Sequence, residues 1–90
     1  MTDTVADKQK ILNRIRRLRG QVDAVERAVE ADAGCTEIMR LLTAARGAAN
    51  GIMAEVVEDH IYMHMIDSKP SRSEAEAADE LVEVLRSYIR

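Results

Sequence analysis

Along the first third of the chain the apolar residues Ile11, Ile15, Leu18, Val22, Val25 and Val29 recur at alternating spacings of four and three. That is a heptad seam along one helix face, and it predicts a first helix over about residues 7–31. Asp32, Ala33 and Gly34 interrupt the pattern, with Gly34 suited to the left-handed turn that follows a helix end. A second helix is predicted over about residues 36–66. Its apolar residues Ile38, Leu41, Leu42, Ile52, Met53, Val56, Val57 and Ile61 cover most of the circumference, so it must touch several neighbours. Pro70 marks a turn, and Ser73 with Glu76 reads as a capping box. Ala78, Leu81, Val82, Leu85, Tyr88 and Ile89 give a third helix, over about 74–89, its apolar stripe. The expected fold is all-α, a three-helix protomer forming one domain over residues 1–90.

Composition adds a requirement for partners. Ninety residues bury little core, so an oligomer is expected. The chain has neither Trp nor Phe and a single Pro, which favours helices over sheet. A lone cysteine cannot form an internal disulfide, no apolar run reaches membrane-span length, and the charged N-terminus has no signal-peptide core. A cytoplasmic location with no membrane partner is expected. Met39, Met53, Met63 and Met65 read most simply as core filler.

Charge is distributed unevenly. The net value is −3, yet Lys8, Lys10, Arg14, Arg16, Arg17 and Arg19 fall in a stretch without acidic residues, so the rest of the chain carries −9. Lys10, Arg14, Arg17 and Gln21 share a narrow arc beside the apolar seam. A solvated helix face is the plain reading of such a flank. The alternative is a nucleic-acid contact, because counterion release is local to the contact whatever the overall charge.

The central stretch LLTAARGAANGIMAEV is rich in small residues, and the cysteine and both histidines lie toward the ends of its helix. His60 and His64 are four apart and share a helix face, where they can clasp one metal ion. Cys35 lies roughly 38 Å from His60 along the same helix and cannot join them within one chain. In an antiparallel pair of these helices, with the two-fold near Ala48 and Ala49, Cys35 of one copy comes level with the histidines of the other. Histidines four apart on a helix are commonly incidental, so the spacing alone leaves metal binding open. Without an H-E-x-x-H arrangement a zinc protease is not indicated, and a Cys–His pair split between chains does not suggest an enzyme.

The segments DKQKILNRIRRLRGQVDAVERAVE, the Gly34–Cys35 pair, RGAANGIMAEVVEDHI and LVEVLRSYIR resemble the copper-, nickel/cobalt- and formaldehyde-sensing repressors of the CsoR/RcnR/FrmR family. The likeness spans nearly the whole chain. It implies an antiparallel helical-bundle dimer assembling to a tetramer, repression of efflux or detoxification genes, and release from operator DNA when the inducer binds. By the same resemblance Arg46 joins the DNA contacts.

The inducer turns on individual positions. Copper(I) sensors of the family use Cys-His-Cys, and His64 stands here at the last position, a harder ligand. Persulfide sensors need two cysteines. Nickel/cobalt sensors use the N-terminal amine, a His at position 3, and a Cys and two His that map onto Cys35, His60 and His64. This chain has Asp3 at the third position, a carboxylate that can still ligate a divalent ion. Removal of Met1 would leave the amine on Thr2. The resemblance therefore implies a nickel- or cobalt-responsive repressor, with zinc a further candidate, through Thr2, Asp3, Cys35, His60 and His64. Formaldehyde sensors of the family cross-link an N-terminal Pro to the cysteine and usually lack the second His; Thr2 here supplies a primary amine instead, which makes an aldehyde response through Cys35 and Thr2 the alternative. A helical scaffold with incidental His and Cys is the third reading.

Overall fold

The computed structural model describes residues 5–65 and 69–89, the side chains of Val5 and Ala6 excepted. It contains three helices, α1 (Val5–Glu30), α2 (Cys35–His60) and α3 (Arg72–Tyr88), with a π turn over Ile61–Met65 continuing α2. Among the described residues there is no strand. None of the described helices is long and apolar enough to cross a membrane.

The link between α1 and α2 is tighter than the sequence suggested. Ala33 N–H donates to Ala28 C=O at 2.9 Å and Asp32 N–H to Val29 C=O at 3.1 Å. That pair of bonds is a Schellman closure, and its left-handed position belongs to Asp32, with φ 55°. The expectation for Gly34 is thus corrected. Gly34 is extended, with φ −64° and ψ 158°, and caps the start of α2 instead. Asp tolerates the left-handed region better than most side chains, which frees Gly34 for the second role.

The cap of α3 also moves. Ser71, not Ser73, is the N-cap, and its Oγ accepts from Glu74 N–H at 3.2 Å. The hydroxyl also donates to Glu74 Oε1 at 3.1 Å. Ser71 and Ser73 are each followed three residues later by Glu. Capping at Ser71 starts the helix two residues earlier, directly after Pro70, beyond which no helix can extend upstream.

α1 and α2 run antiparallel, and their seam divides the heptad positions into two sets. Ile11 is buried and Leu18 and Val25 are half-buried, whereas Ile15, Val22 and Val29 remain exposed. α3 folds back on the end of α2, where Ile61, Ala78 and Val82 form a small buried cluster with Val57 and Leu85 against it. Tyr62 O–H donates to Asp79 there, and Arg86 pairs with Glu58.

The protomer is far from closed. Its radius of gyration is 17.1 Å, against about 12 Å for a compact chain of this length. Its accessible surface is 6790 Å², against about 5,200 Å² for a compact protein of its mass. Met39, Met53 and Met65 are exposed at 63%, 54% and 62%, so within one protomer they are not core filler. Within one protomer Ala48 is half-buried beside the α1 groove, while Ala49 is exposed.

Candidate DNA interface and metal-ligand positions

The basic flank of α1 borders an open groove. Lys10, Asn13, Arg14, Arg17 and Gln21 form one wall, and Ala44, Gly47, Ala48 and Gly51 of α2 form the floor, around about 660 Å³. The small residues recur at three- and four-residue spacing, so they share one face of α2, and their lack of bulk keeps the groove open. A carboxylate closes one end. Glu55 lies 3.0 Å from Arg14 Nε and 3.4 Å from Lys10 Nζ. Sequence reasoning missed Glu55, although it continues the stripe of residues 44, 48 and 51. Arg46 is not part of this groove and stands with Met39, Leu42 and Thr43 on another face of α2.

The candidate ligand positions are arranged along the outside. Cys35 is the first residue of α2 and is exposed. His60 ends α2 and His64 lies in the π turn, their ring centroids 5.1 Å apart and tilted by 45°. Continuous α-helix was expected there to residue 66. The observed turn is wider, and π turns occur often at functional sites. Val56 and Val57 complete a pocket of about 350 Å³ with the two imidazoles. A centroid separation of 5.1 Å is about what two imidazoles on one ion at about 2.0–2.1 Å would show. Two imidazoles and a thiolate are a donor set suited to nickel, cobalt or zinc.

One protomer does not bring these donors together. Among the described residues no three of His, Cys, Asp and Glu cluster closely enough to hold an ion. Cys35 and the histidines sit at opposite ends of α2. Thr2 and Asp3 lie outside the described residues. Next to His60, burial and then the negative charges of Glu55, Asp7 and Glu58 push the Asp59 carboxyl above its usual range. Tyr62 is raised to about 12, chiefly by its hydrogen bond to Asp79.

One regularity joins the two ends. Cys35, Met39, Leu42, Arg46, Ala49, Met53 and His60 are all exposed. At 3.6 residues per turn they fall within about a quarter of the helix circumference. The sulfur and the first imidazole therefore lie on the same uncovered, largely apolar face.

Comparison with known proteins agrees with this architecture. A family model described as a metal-sensitive transcriptional repressor matches residues 7–87. The transcriptional repressor RcnR of Salmonella paratyphi B (strain ATCC BAA-1250 / SPB7) is 33% identical over the full length of both chains. An uncharacterized protein in the bioA 5' region of Serratia marcescens is 40% identical, again over the full length of both. The solved structure of a glutamate-to-histidine variant of the formaldehyde-responsive regulator FrmR, from Salmonella enterica serovar Typhimurium, superposes with a TM-score of 0.70 at 39% identity. The match covers 97% of this chain and 99% of that one. Helical fold, full-length relatives and family match coincide: this chain belongs to the CsoR/RcnR/FrmR family of metal-sensitive transcriptional repressors.

Proposed function

We propose that this chain is a cytoplasmic repressor, a single domain over residues 1–90, that leaves its operator when it binds nickel or cobalt and so controls a metal efflux gene. The observation that carries the reading is the common exposed face of α2. Two copies packed antiparallel through Leu42, Ala49 and Met53 cover that apolar surface and bring Cys35 of one copy to His60 and His64 of the other. Thr2, through its amine, and Asp3 are proposed to complete the set, with zinc as a further candidate ion.

DNA contact is proposed through Lys10, Arg14, Arg17 and Gln21. Arg46, on the face where copies meet, would reach the duplex from a different part of the assembly. Such a flank binds phosphates, and preference among sequences then comes partly from duplex shape, G·C-rich segments being A-like. A divalent ion, when bound, supplies a tether between the ends of two α2 helices. Release requires that the DNA-incompetent arrangement bind the ion more tightly, with a coupling of about 1–3 kcal/mol typical of such linkage.

The likeness to a formaldehyde-responsive regulator favours a second reading, an aldehyde response through Cys35 and the amine of Thr2. That relative was given a histidine in place of a glutamate, whereas this chain carries His60 and His64 in its own sequence. The test is release from duplex DNA on addition of nickel, cobalt or formaldehyde, in the parent and in His64→Glu. On the metal reading His64→Glu no longer responds to nickel or cobalt. Metal-driven release that survives this substitution would move the aldehyde reading ahead.

A further inference from the structure

We propose that Glu55 is a positioning residue for DNA contact, one that holds Arg14 and Lys10 in a fixed row along the groove; this rests on the reading that the basic flank of α1 meets DNA. Glu55 is only 13% exposed at its side chain, against 46% for Arg14 and 61% for Lys10. Its Oε2 is shut off from solvent and accepts no well-directed hydrogen bond. The 3.0 Å approach of Arg14 Nε is therefore an ionic contact that leaves the N–H donors of the guanidinium available to another acceptor. A second feature fixes the same side chain. Arg14 Nη1 lies 3.2 Å from where a Cβ on Gly51 would stand, so the guanidinium rests on α2 at a position where that helix has no side chain. Among the described residues Arg17 has no such carboxylate.

Two effects of opposite sign meet at Glu55. Its charge repels phosphate, so removing it should strengthen binding to any duplex through the added positive charge. Its grip restricts the rotamers of a long side chain before DNA arrives, so removing it should weaken contacts that need a defined geometry. Burial decides between them. Were Lys10 and Arg14 to leave for phosphates entirely, a nearly enclosed carboxylate would be stranded without a partner, which is costlier than keeping the pair and using the outward donors. Glu55 therefore stays engaged, and its contribution appears as discrimination between duplexes.

The experiment measures the affinity of the full-length, metal-free protein for a G·C-tract duplex and an A·T-rich duplex of equal length at one salt concentration. Glu55→Gln is expected to lose about tenfold on the G·C-tract duplex, while the A·T-rich duplex is bound as well as or better than by the parent. Gly51→Ala favours the helix but puts a Cβ against Arg14 Nη1, and it should lower the same ratio without any change of charge. If both variants keep the parent's preference, or Glu55→Gln binds both duplexes more tightly by the same factor, Glu55 is only a competing charge and the proposal is overturned. A parent that binds neither duplex overturns the DNA reading and this proposal with it, an outcome distinct from the first.

Discussion

The basic groove is walled and floored by a single protomer, whereas the proposed metal ligands are strung along the outside of α2, Cys35 at one end and His60 with His64 at the other. The first region needs only the α1–α2 hairpin to exist. The second needs another copy, because no bending of one straight helix closes roughly 38 Å. That difference suits a sensor. A site completed only between copies makes ligand binding and quaternary arrangement the same event, while a surface complete in each copy can be moved as a rigid part.

The largest expected effect separates the two regions without touching either. Leu42→Glu places a charge in the middle of the exposed stripe, where a lone protomer has ample solvent to accept it. Helix content should be preserved, while sedimentation shows a smaller species and the cobalt–thiolate absorption disappears although every ligand is present. A variant that keeps its assembly and its absorption would mean that copies meet elsewhere. Next comes Cys35→Ala, which should abolish the same absorption and the metal response yet leave assembly and the affinity of the metal-free protein for DNA close to the parent's. If cobalt still releases this variant from DNA, the sulfur is no ligand and the divided site is wrong.

How much of this was legible in the sequence follows from the range of each interaction. The α1 seam could be read because six apolar residues repeat one spacing, and the third helix because Ala78, Val82 and Leu85 do the same. The ends were harder. Ser71 and Ser73 offer equal capping signals, and only the folded backbone gives the α3 cap to Ser71 and the left-handed turn to Asp32 in place of Gly34. Glu55 was missed because its meaning lies in a contact with residues more than forty positions away. Met39, Met53 and Met65 are exposed within one protomer, and apolar residues on an outer face look the same in sequence as residues that fill a core. The small residues of α2 were read as a contact between copies, and within one protomer Ala44, Gly47, Ala48 and Gly51 line the groove beside α1.

A moderate effect is expected on the groove side. Arg14→Ala and Arg17→Ala should each flatten the dependence of log affinity on log salt by about one unit for every copy in contact with DNA. Metal affinity should be unchanged, since neither residue lies on the ligand face. Equal slopes for parent and both variants would remove the flank from the interface. Arg46→Ala probes the comparison from the other face: a loss of slope there would show that DNA reaches the exposed stripe of α2 as well as the groove.

The smallest effect concerns the seat of α3 beside the ligand end. Tyr62 precedes His64 by two residues, and its hydroxyl donates to Asp79 across to α3. That bond is the chief reason the Tyr62 hydroxyl is held at about 12, so Tyr62 keeps its donor proton throughout the neutral range. Tyr62→Phe keeps the ring against Ile61's turn and removes only the donor. Both groups are exposed enough for water to replace the lost bond in part, so the cost should be about 1 kcal/mol or less in denaturant unfolding. The salt slope for DNA should be unaffected, because the groove lies against the opposite partner of α2. Metal affinity is the informative readout. With α3 loosened, the π turn that carries His64 is less constrained, and cobalt binding should weaken by a few-fold while unfolding stability changes little. If metal affinity holds and the salt slope changes instead, the ligand end and the groove are coupled more directly than their separate construction implies.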